Sequence, residues 1–477
     1  MSVEIDTRPL WIILALKSLR PIFFLLLAIL FWYFIKMPSP EGLTAAGQNA
    51  IAVFLICLIL WVSNMIPLAI TSIFAIILVP LLGILTKKET YSLFGNEAVF
   101  FILGAFILAG AVMHSGLSNR IALNVIKRYG YSPKRLLLCV FLLAAALSFF
   151  MSEHAVAAML FPMLLELAKS LKLRPGKSNY GKFLFHALSW GCIVGGVATF
   201  LGGARVPLAM GILKETTGET IGFLDYTVAV LPLVFILLAV GFMILTVLYP
   251  IDVAGVDNAG EVIAKRLKEL GKVSFSEYAV GMVLLLTIVG WISLGRTLGL
   301  AAVALGSVVI LFVLRIVRWK DVEDYVNWGI ILMYGGAITL GSALDKSGAA
   351  AWLIKGVIGR WSGAPWTIFA LVSLLTIFLT EAMSHAAVIA VLLPVVIGMA
   401  GKMSVDPVVM TYSVATPAGL AFMLPMSTPA NGIAVSSNYI TVRDMIKGGL
   451  IMAIISWVLF NLMAAFYWPL IGFGRLR

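Results

Sequence analysis

The chain has 477 residues, of which 61% are hydrophobic and only 12% charged, and its mean hydropathy is +1.06. A water-soluble protein cannot bury that much apolar surface, so the composition excludes a soluble fold and predicts an all-α, polytopic membrane protein. The net charge of +12 does not indicate a nucleic-acid partner, because the basic residues lie in short loops between apolar segments, as the positive-inside rule expects.

Apolar runs long enough to cross a bilayer, which takes about 17–25 helical residues, follow one another along the chain. They cover 11–36, 48–65, 67–86, 97–117, 183–213, 226–249, 278–295, 298–316, 328–344, 408–435 and 446–470. No small-residue cleavage site follows the first run, so we interpret it as a retained helix. Cysteines occur only in apolar segments without metal-ligand spacing, so we expect neither a disulfide nor a metal site.

Two further apolar stretches, 136–168 and 366–400, have an informative length. Two full spans and a turn would need roughly 45 residues, whereas each stretch has about 35. Basic clusters flank the first stretch on both sides, which favours entry and exit at the cytoplasmic face. The second stretch has thinner flanking charge (Lys355, Arg360, Lys402), which suits the opposite face. We therefore predict two re-entrant hairpins.

These two stretches contain an internal repeat. Residues 152–162 and 384–394 are identical at six of eleven positions with a constant offset of 232, and the same offset pairs Gly104 with Gly336 and Gly116 with Gly348. Repeats with a polar break at corresponding places are the best sequence pointer to the binding site of a secondary transporter. We therefore predict an inverted repeat.

The repeat defines an expected domain organisation. We expect N-terminal scaffold helices in 1–90, repeat 1 in 91–249, a cytoplasmic amphipathic linker in 250–276, scaffold helices in 277–321 and repeat 2 in 322–477.

Each hairpin has a polar tip. Ser152 and Ser384 fit helix N-caps, and helix N-termini at the bilayer midplane favour an anion through their free N–H groups. Glu153, His154 and His385 follow them, and ionisable side chains at membrane depth are functional by default. The alternatives are a purely capping role for the serines and a structural carboxylate held by an arginine.

A second pair of interruptions follows the hairpins, near 199–207 and near 423–432. Both combine glycine or proline with small polar residues, which is typical of broken helices in transporters. We select Thr199 and Arg205 in the first, and Thr428 and Asn431 in the second, as candidate substrate ligands. A guanidinium can grip carboxylate or sulfate with two hydrogen bonds, although an arginine near an interface can also snorkel to water.

At these residues the chain resembles the divalent anion/sodium symporter family, from about residue 50 to the end. Residues 101–110, 116–120, 423–431 and 440–445 are also similar to that family. The resemblance implies an anion bound between two Ser-Asn-Thr tips, two sodium ions beside it, and a homodimer in which a transport domain slides against a scaffold. It also implies that Ser152, Ser384, Thr428 and Asn431 contact substrate.

The chain departs from the family signature in the first half. The tips read Ser152-Glu153-His154 and Ser384-His385-Ala386, and the first Thr-Pro-Pro-Asn loop becomes 203–206 with Arg205 at its third position. We hypothesise that Glu153 and Arg205 pair and replace a sodium ion, with Glu153, His154 or His385 taking up protons. The competing hypothesis is that Glu153 binds sodium through its charge.

The sequence thus predicts a secondary active transporter of small anions in the cell membrane, with di- or tricarboxylates as the leading substrates and elevator-type alternating access. It needs no cofactor beyond a coupling ion, either sodium or a proton. The alternatives are a transporter of inorganic anions such as sulfate or phosphate, and a cation/proton antiporter. An enzyme is not expected, because motifs such as His-Glu-x-x-His and paired aspartates are absent from the sequence.

Overall fold

A computed structural model describes residues 10–63, 65–358, 364–403 and 405–473, and every regular element within these ranges is helical. Residues 1–9 of the expected N-terminal unit, the C-terminal end of repeat 2, and Arg360 beside the second hairpin lie outside the described residues. Eight of the described helices are long and apolar enough to cross a membrane. The predicted all-α, polytopic membrane fold is confirmed.

The first half of the chain forms eleven α-helices. They are α1 (Leu10–Lys36), α2 (Ala45–Ser63), α3 (Leu68–Leu81), α4 (Lys87–Ser92), α5 (Glu97–Ser115), α6 (Leu117–Tyr129), α7 (Pro133–Ser148), α8 (Glu153–Ser170), α9 (Asn179–Gly196), α10 (Arg205–Thr217) and α11 (Phe223–Leu248). Helix α12 (Asp257–Leu270) then lies inside the expected linker.

The second half repeats this order. Its helices are α13 (Phe275–Ser293), α14 (Gly295–Leu298), α15 (Leu300–Val313), α16 (Trp319–Val322), α17 (Trp328–Lys346), α18 (Ala349–Ile358), α19 (Pro365–Ala382), α20 (His385–Met403), α21 (Pro407–Ala415), α22 (Pro429–Ser436) and α23 (Val442–Phe466). Helices α7 and α19 both start on a proline, and α8 and α20 both follow a serine, at the offset of 232 seen in the sequence.

The repeat extends further towards the N-terminus than the sequence match. Helix α3 packs on α17, and α15 packs on α5 in the same way. At these crossings Gly336 lies against Ser72 and Gly104 against Ala304, and the two contacts are related by the same offset of 232. Small residues allow membrane helices to approach closely, so the glycine pair noted in the sequence marks two equivalent helix contacts.

Each hairpin packs against the broken helix of the other half. Helices α7 and α8 are in contact, as are α19 and α20, while α8 contacts α22 and α20 contacts α10. Helix α9 also contacts α22, and α10 contacts α21, so the four helices that flank the two breaks pack together.

The linker helix α12 is attached to the first repeat. It contacts α6 and α8, and Arg120 of α6 donates hydrogen bonds to the carbonyl oxygens of Leu270 (3.2 Å), Gly271 (2.9 Å) and Lys272 (3.1 Å) at its C-terminal end. Arg120 also forms a 2.9 Å ion pair with Glu277. These contacts fix the start of α13, while the assignment of this side to the cytoplasm stays a prediction.

Candidate functional site

The two hairpin tips begin their second helices with a capping serine. The Oγ of Ser152 accepts the backbone N–H of Ala155 at 3.4 Å, and the Oγ of Ser384 accepts that of Ala387 at 3.2 Å. A capping serine uses an oxygen lone pair and keeps its own O–H free to donate. Capping and anion binding are therefore compatible at both serines.

The residues after the two serines meet each other. The Oε1 of Glu153 lies 3.7 Å from the Nδ1 of His385, and the two side chains are only 8% and 11% exposed. They occupy equivalent positions of the repeat, so their contact lies where the two halves meet. Oε2 of Glu153 and Nε2 of His385 are buried and have no hydrogen-bond partner among the described residues.

Arg205 is the first residue of α10 and is 1% exposed. Its Nη2 donates to the carbonyl of Gly196 at the end of α9, whereas Nε and Nη1 find no partner in the described part of the chain. Gly419 of the second half lies against the same group, since a Cβ at Gly419 would fall 2.6 Å from Cζ of Arg205. The guanidinium thus lies between the broken regions of both halves.

The expected direct pair of Glu153 with Arg205 is not formed. A Cβ at Gly196 would lie 3.5 Å from both Oε2 of Glu153 and Nη2 of Arg205, so the opposite charges flank one glycine. Among the described residues His385 is the basic side chain that lies within 4.0 Å of the carboxylate, and the two form an ion pair only when the imidazole is protonated. Each residue hydrogen-bonds a carbonyl at the first break: Glu153 donates its backbone N–H to the carbonyl of Gly202 (3.2 Å), and Arg205 donates to the carbonyl of Gly196.

The remaining predicted ligands stabilise the two loops through hydrogen bonds. Thr199 donates to the carbonyl of Phe149 at 2.6 Å, and Thr428 caps α22 by accepting the N–H of Asn431 at 3.0 Å. The Asn431 side chain is fully buried, donates to Ser427 Oγ at 3.0 Å and accepts from Ser189 Oγ at 2.6 Å. The other predicted coupling residue, His154, is exposed.

Both breaks differ from their predicted bounds. The first covers 197–204 rather than 199–207, so Arg205 lies in a helix and not in the loop. The second covers 416–428 rather than 423–432 and includes a short 3₁₀ turn, Pro417–Gly419. In the second case Thr428 caps the helix and Pro429 occupies its first position, which starts α22 earlier than the Gly/Pro pattern indicates.

Sequence reasoning missed three polar side chains that hold the loops. Tyr226 and Tyr334 donate their hydroxyls to the carbonyls of Val197 (3.0 Å) and Ala204, the two ends of the first break. Glu381 is 3% exposed and accepts backbone N–H groups of the second break. The sequence does carry a signal for Glu381, because an acidic residue in an apolar stretch indicates a functional or structural role. Nothing in the sequence distinguishes the two tyrosines from other aromatic residues.

A cavity of about 1000 Å³ lies beside α10, between the N-terminal ends of α5, α11 and α15. Two ion pairs belong to its lining, Lys214 with Glu97 at 2.7 Å and Arg296 with Asp225 at 2.7 Å. Pro207, two residues after Arg205, also lines the cavity. The space therefore reaches the helix that carries the buried guanidinium.

Residues 17–473 match the sequence model of the family described as "Sodium:sulfate symporter transmembrane region". The chain belongs to this divalent anion/sodium symporter family. It is a secondary transporter and a multi-pass membrane protein, as the sequence predicted.

Two proteins that are similar over most of this chain are both named sodium-dependent dicarboxylate transporters. The sodium-dependent dicarboxylate transporter SdcS of Staphylococcus saprophyticus is 29% identical over 94% of this chain and 90% of its own length. SdcS of Staphylococcus aureus is 28% identical over 95% and 91%.

Two solved structures share the fold, each at 14% identity. The first is the YdaH transporter of Alcanivorax borkumensis, with a TM-score of 0.53 over 80% of this chain and 88% of that one. The second is MtrF of Neisseria gonorrhoeae, with a TM-score of 0.56 over 94% and 93%.

Proposed function

We propose that this protein transports small dicarboxylates across the membrane, without changing them chemically, and that Arg205 grips one carboxylate of the substrate. The observation that supports this proposal is a buried guanidinium with two unused donors, Nε and Nη1. A buried charge without full hydrogen bonding is costly. An arriving carboxylate would lower that cost by accepting two charge-assisted hydrogen bonds, one from Nε or Nη1 and one from the second hydrogen of Nη2.

The hairpin tips supply the rest of the anion site in this proposal. The N-termini of α8 and α20 and the free hydroxyl hydrogens of Ser152 and Ser384 favour a second negative group. The substrate class is supported by the names of the SdcS relatives. Sulfate is the second candidate, because the matching family is described by sodium:sulfate transport and one arginine also suits a compact dianion.

We further infer that Arg205 acts as a built-in cation in the first half. A sodium ion needs oxygen ligands. At the first break, the carbonyl oxygen of Gly196 already accepts a hydrogen bond from the Arg205 guanidinium. Repulsion between two adjacent cations disfavours sodium there. The second loop retains the family residues Thr428 and Asn431. The closely spaced Glu153 and His385 then form a site for a coupling proton.

The movement is proposed from the predicted domain organisation. The hairpins and broken helices would form the transport unit, which slides between the scaffold helices of 1–90 and 277–321 in a homodimer. The cavity beside α10 would be the access route to the site on one side of the membrane. Of its two ion pairs, Arg296–Asp225 joins the scaffold segment 277–321 to repeat 1 and would separate when the transport unit moves.

Uptake into proteoliposomes tests the substrate. Purified protein is reconstituted, and radiolabelled succinate uptake is measured with unlabelled succinate, citrate, sulfate or phosphate as competitors. The dicarboxylate proposal is supported if unlabelled succinate blocks the uptake of labelled succinate and unlabelled sulfate does not. Absence of succinate uptake together with labelled sulfate uptake would replace it with the inorganic-anion alternative, and sodium-driven proton movement without anion uptake would favour an antiporter.

A further inference from the structure

Glu381 lies in the last turn of α19, three residues before Ser384, and its carboxylate faces the second break. Phe422 donates its backbone N–H to Oε1 at 2.7 Å and Leu424 donates to Oε2 at 2.9 Å. Met423 donates to both oxygens, at 3.0 and 3.1 Å. Three consecutive amides therefore surround one carboxylate, an arrangement that backbone N–H groups commonly form around anions.

These bonds join two parts of the site. On one side, Glu381 is close in sequence to the tip residues Ser384 and His385. On the other, the loop that Glu381 holds carries Gly419, which packs on Arg205. The same loop carries the carbonyls of Ala421 and Leu424, which accept hydrogen bonds from the Asn431 side chain at 3.2 and 3.3 Å. The carboxylate thus connects the tip of the second hairpin to the loop.

The first half makes the equivalent connection differently. The position that matches Glu381 at the offset of 232 is Phe149, whose backbone carbonyl accepts one bond from Thr199 at 2.6 Å. A single neutral hydrogen bond is weaker than several bonds to an ionised carboxylate. The tie between tip and loop is therefore present in both halves but much stronger in the second.

We propose that Glu381 is a positioning residue that holds the second tip and the loop 416–428 as one rigid body, so that Ser384 and His385 keep a fixed distance from Arg205. This inference rests on the proposed anion site. Glutamine at this position has a single acceptor oxygen, and its NH₂ group would face a backbone N–H donor. Aspartate is shorter by one C–C bond of about 1.5 Å and would not reach the loop.

Hydrogen–deuterium exchange on the full chain in lipid nanodiscs tests the tie directly. In the wild-type protein the amides of Phe422, Met423 and Leu424 should exchange slowly, whereas the exposed Met426 should exchange fast. In Glu381→Gln the three amides should exchange at least roughly tenfold faster, while peptides of α2 and α13 stay unchanged. The matched control is Thr380→Val, since among the described residues the buried Thr380 hydroxyl bonds only within α19, to the carbonyls of Thr376 and Ile377.

Transport kinetics supply the functional half of the test. For the anion that the wild type carries, Glu381→Gln should raise KM roughly tenfold and leave the maximal rate within about twofold, and Thr380→Val should change neither. Fast exchange of the three amides in the wild type, or unchanged exchange and KM in Glu381→Gln, would overturn the inference. If the wild type carries neither succinate nor sulfate, the proposed function fails, and the exchange experiment still decides whether Glu381 holds the loop. If Glu381→Gln does not fold, the wild-type exchange pattern remains decisive.

Discussion

Replacement of Arg205 is the perturbation that reaches the proposed anion site most directly. The guanidinium donors Nε and Nη1 have no partner among the described residues, and either of them with the second hydrogen of Nη2 can form two hydrogen bonds to one carboxylate. Each hydrogen bond to a charged group contributes about 1.5–3 kcal/mol, so Arg205→Met should weaken transition-state binding by about 3–6 kcal/mol. At about 1.4 kcal/mol per factor of ten, kcat/KM should fall by roughly 10²–10⁴-fold.

A lysine at this position should have an intermediate effect. Lysine keeps the charge but presents a point donor instead of a planar fork, so Arg205→Lys should lose about one hydrogen bond and roughly 10–10²-fold in kcat/KM. The assay is the initial rate of labelled succinate uptake against concentration in proteoliposomes with equal amounts of inserted protein. Arg318→Lys is the control, because Arg318 is exposed and pairs with Asp321 outside the proposed site, and it should stay near the wild-type value. An Arg205→Met protein that folds and keeps kcat/KM within about threefold would refute the assignment.

Three further predictions concern coupling and packing. Glu153→Gln should abolish succinate accumulation driven by a proton gradient but leave succinate exchange intact. The control His154→Gln, at an exposed position, should keep both activities. Proton-driven accumulation by Glu153→Gln would contradict the proposed proton site. Asn431→Ala removes the acceptor of the Ser189 hydroxyl and one donor to Ser427, and should destabilise the fold by about 1–3 kcal/mol. The measurement is the thermal midpoint, which should be lower than that of the exposed control Asn124→Ala. Gly336→Leu should lower the thermal midpoint, because the new side chain would clash with Ser72 at a cost of about 1–3 kcal/mol. Gly306→Ala, which faces open space on α15, should not lower it. Equal midpoints for the two variants would argue against the close α3–α17 contact.

The sequence indicates features of the site that depend on local chemistry. A serine before an apolar helix is an N-cap wherever it occurs, so Ser152 and Ser384 mark the starts of α8 and α20 correctly to the residue. The fixed register between the halves also follows from the sequence. It predicts that Glu153 and His385 are equivalent, although not that they touch.

The remaining features depend on packing between distant segments. The contacts of α3 with α17 and α15 with α5 have little sequence signal, because lipid-facing and core positions of membrane helices accept many apolar residues. The Glu153–Arg205 pair was expected from charge alone, but in the structure Arg205 donates to the carbonyl of Gly196 and the Glu153 carboxylate lies beside His385. The partners of Glu381 are backbone amides, which carry no sequence identity and therefore leave no motif to find.

The most direct test of a built-in cation compares driving forces for succinate uptake in proteoliposomes of the wild-type protein. An inward proton gradient and an inward sodium gradient are imposed separately at equal membrane potential. Accumulation driven by protons and unaffected by sodium is the result that the Arg205 guanidinium and the Glu153–His385 site predict. Accumulation that requires sodium and ignores the proton gradient would contradict the account and would assign Glu153 to a sodium site.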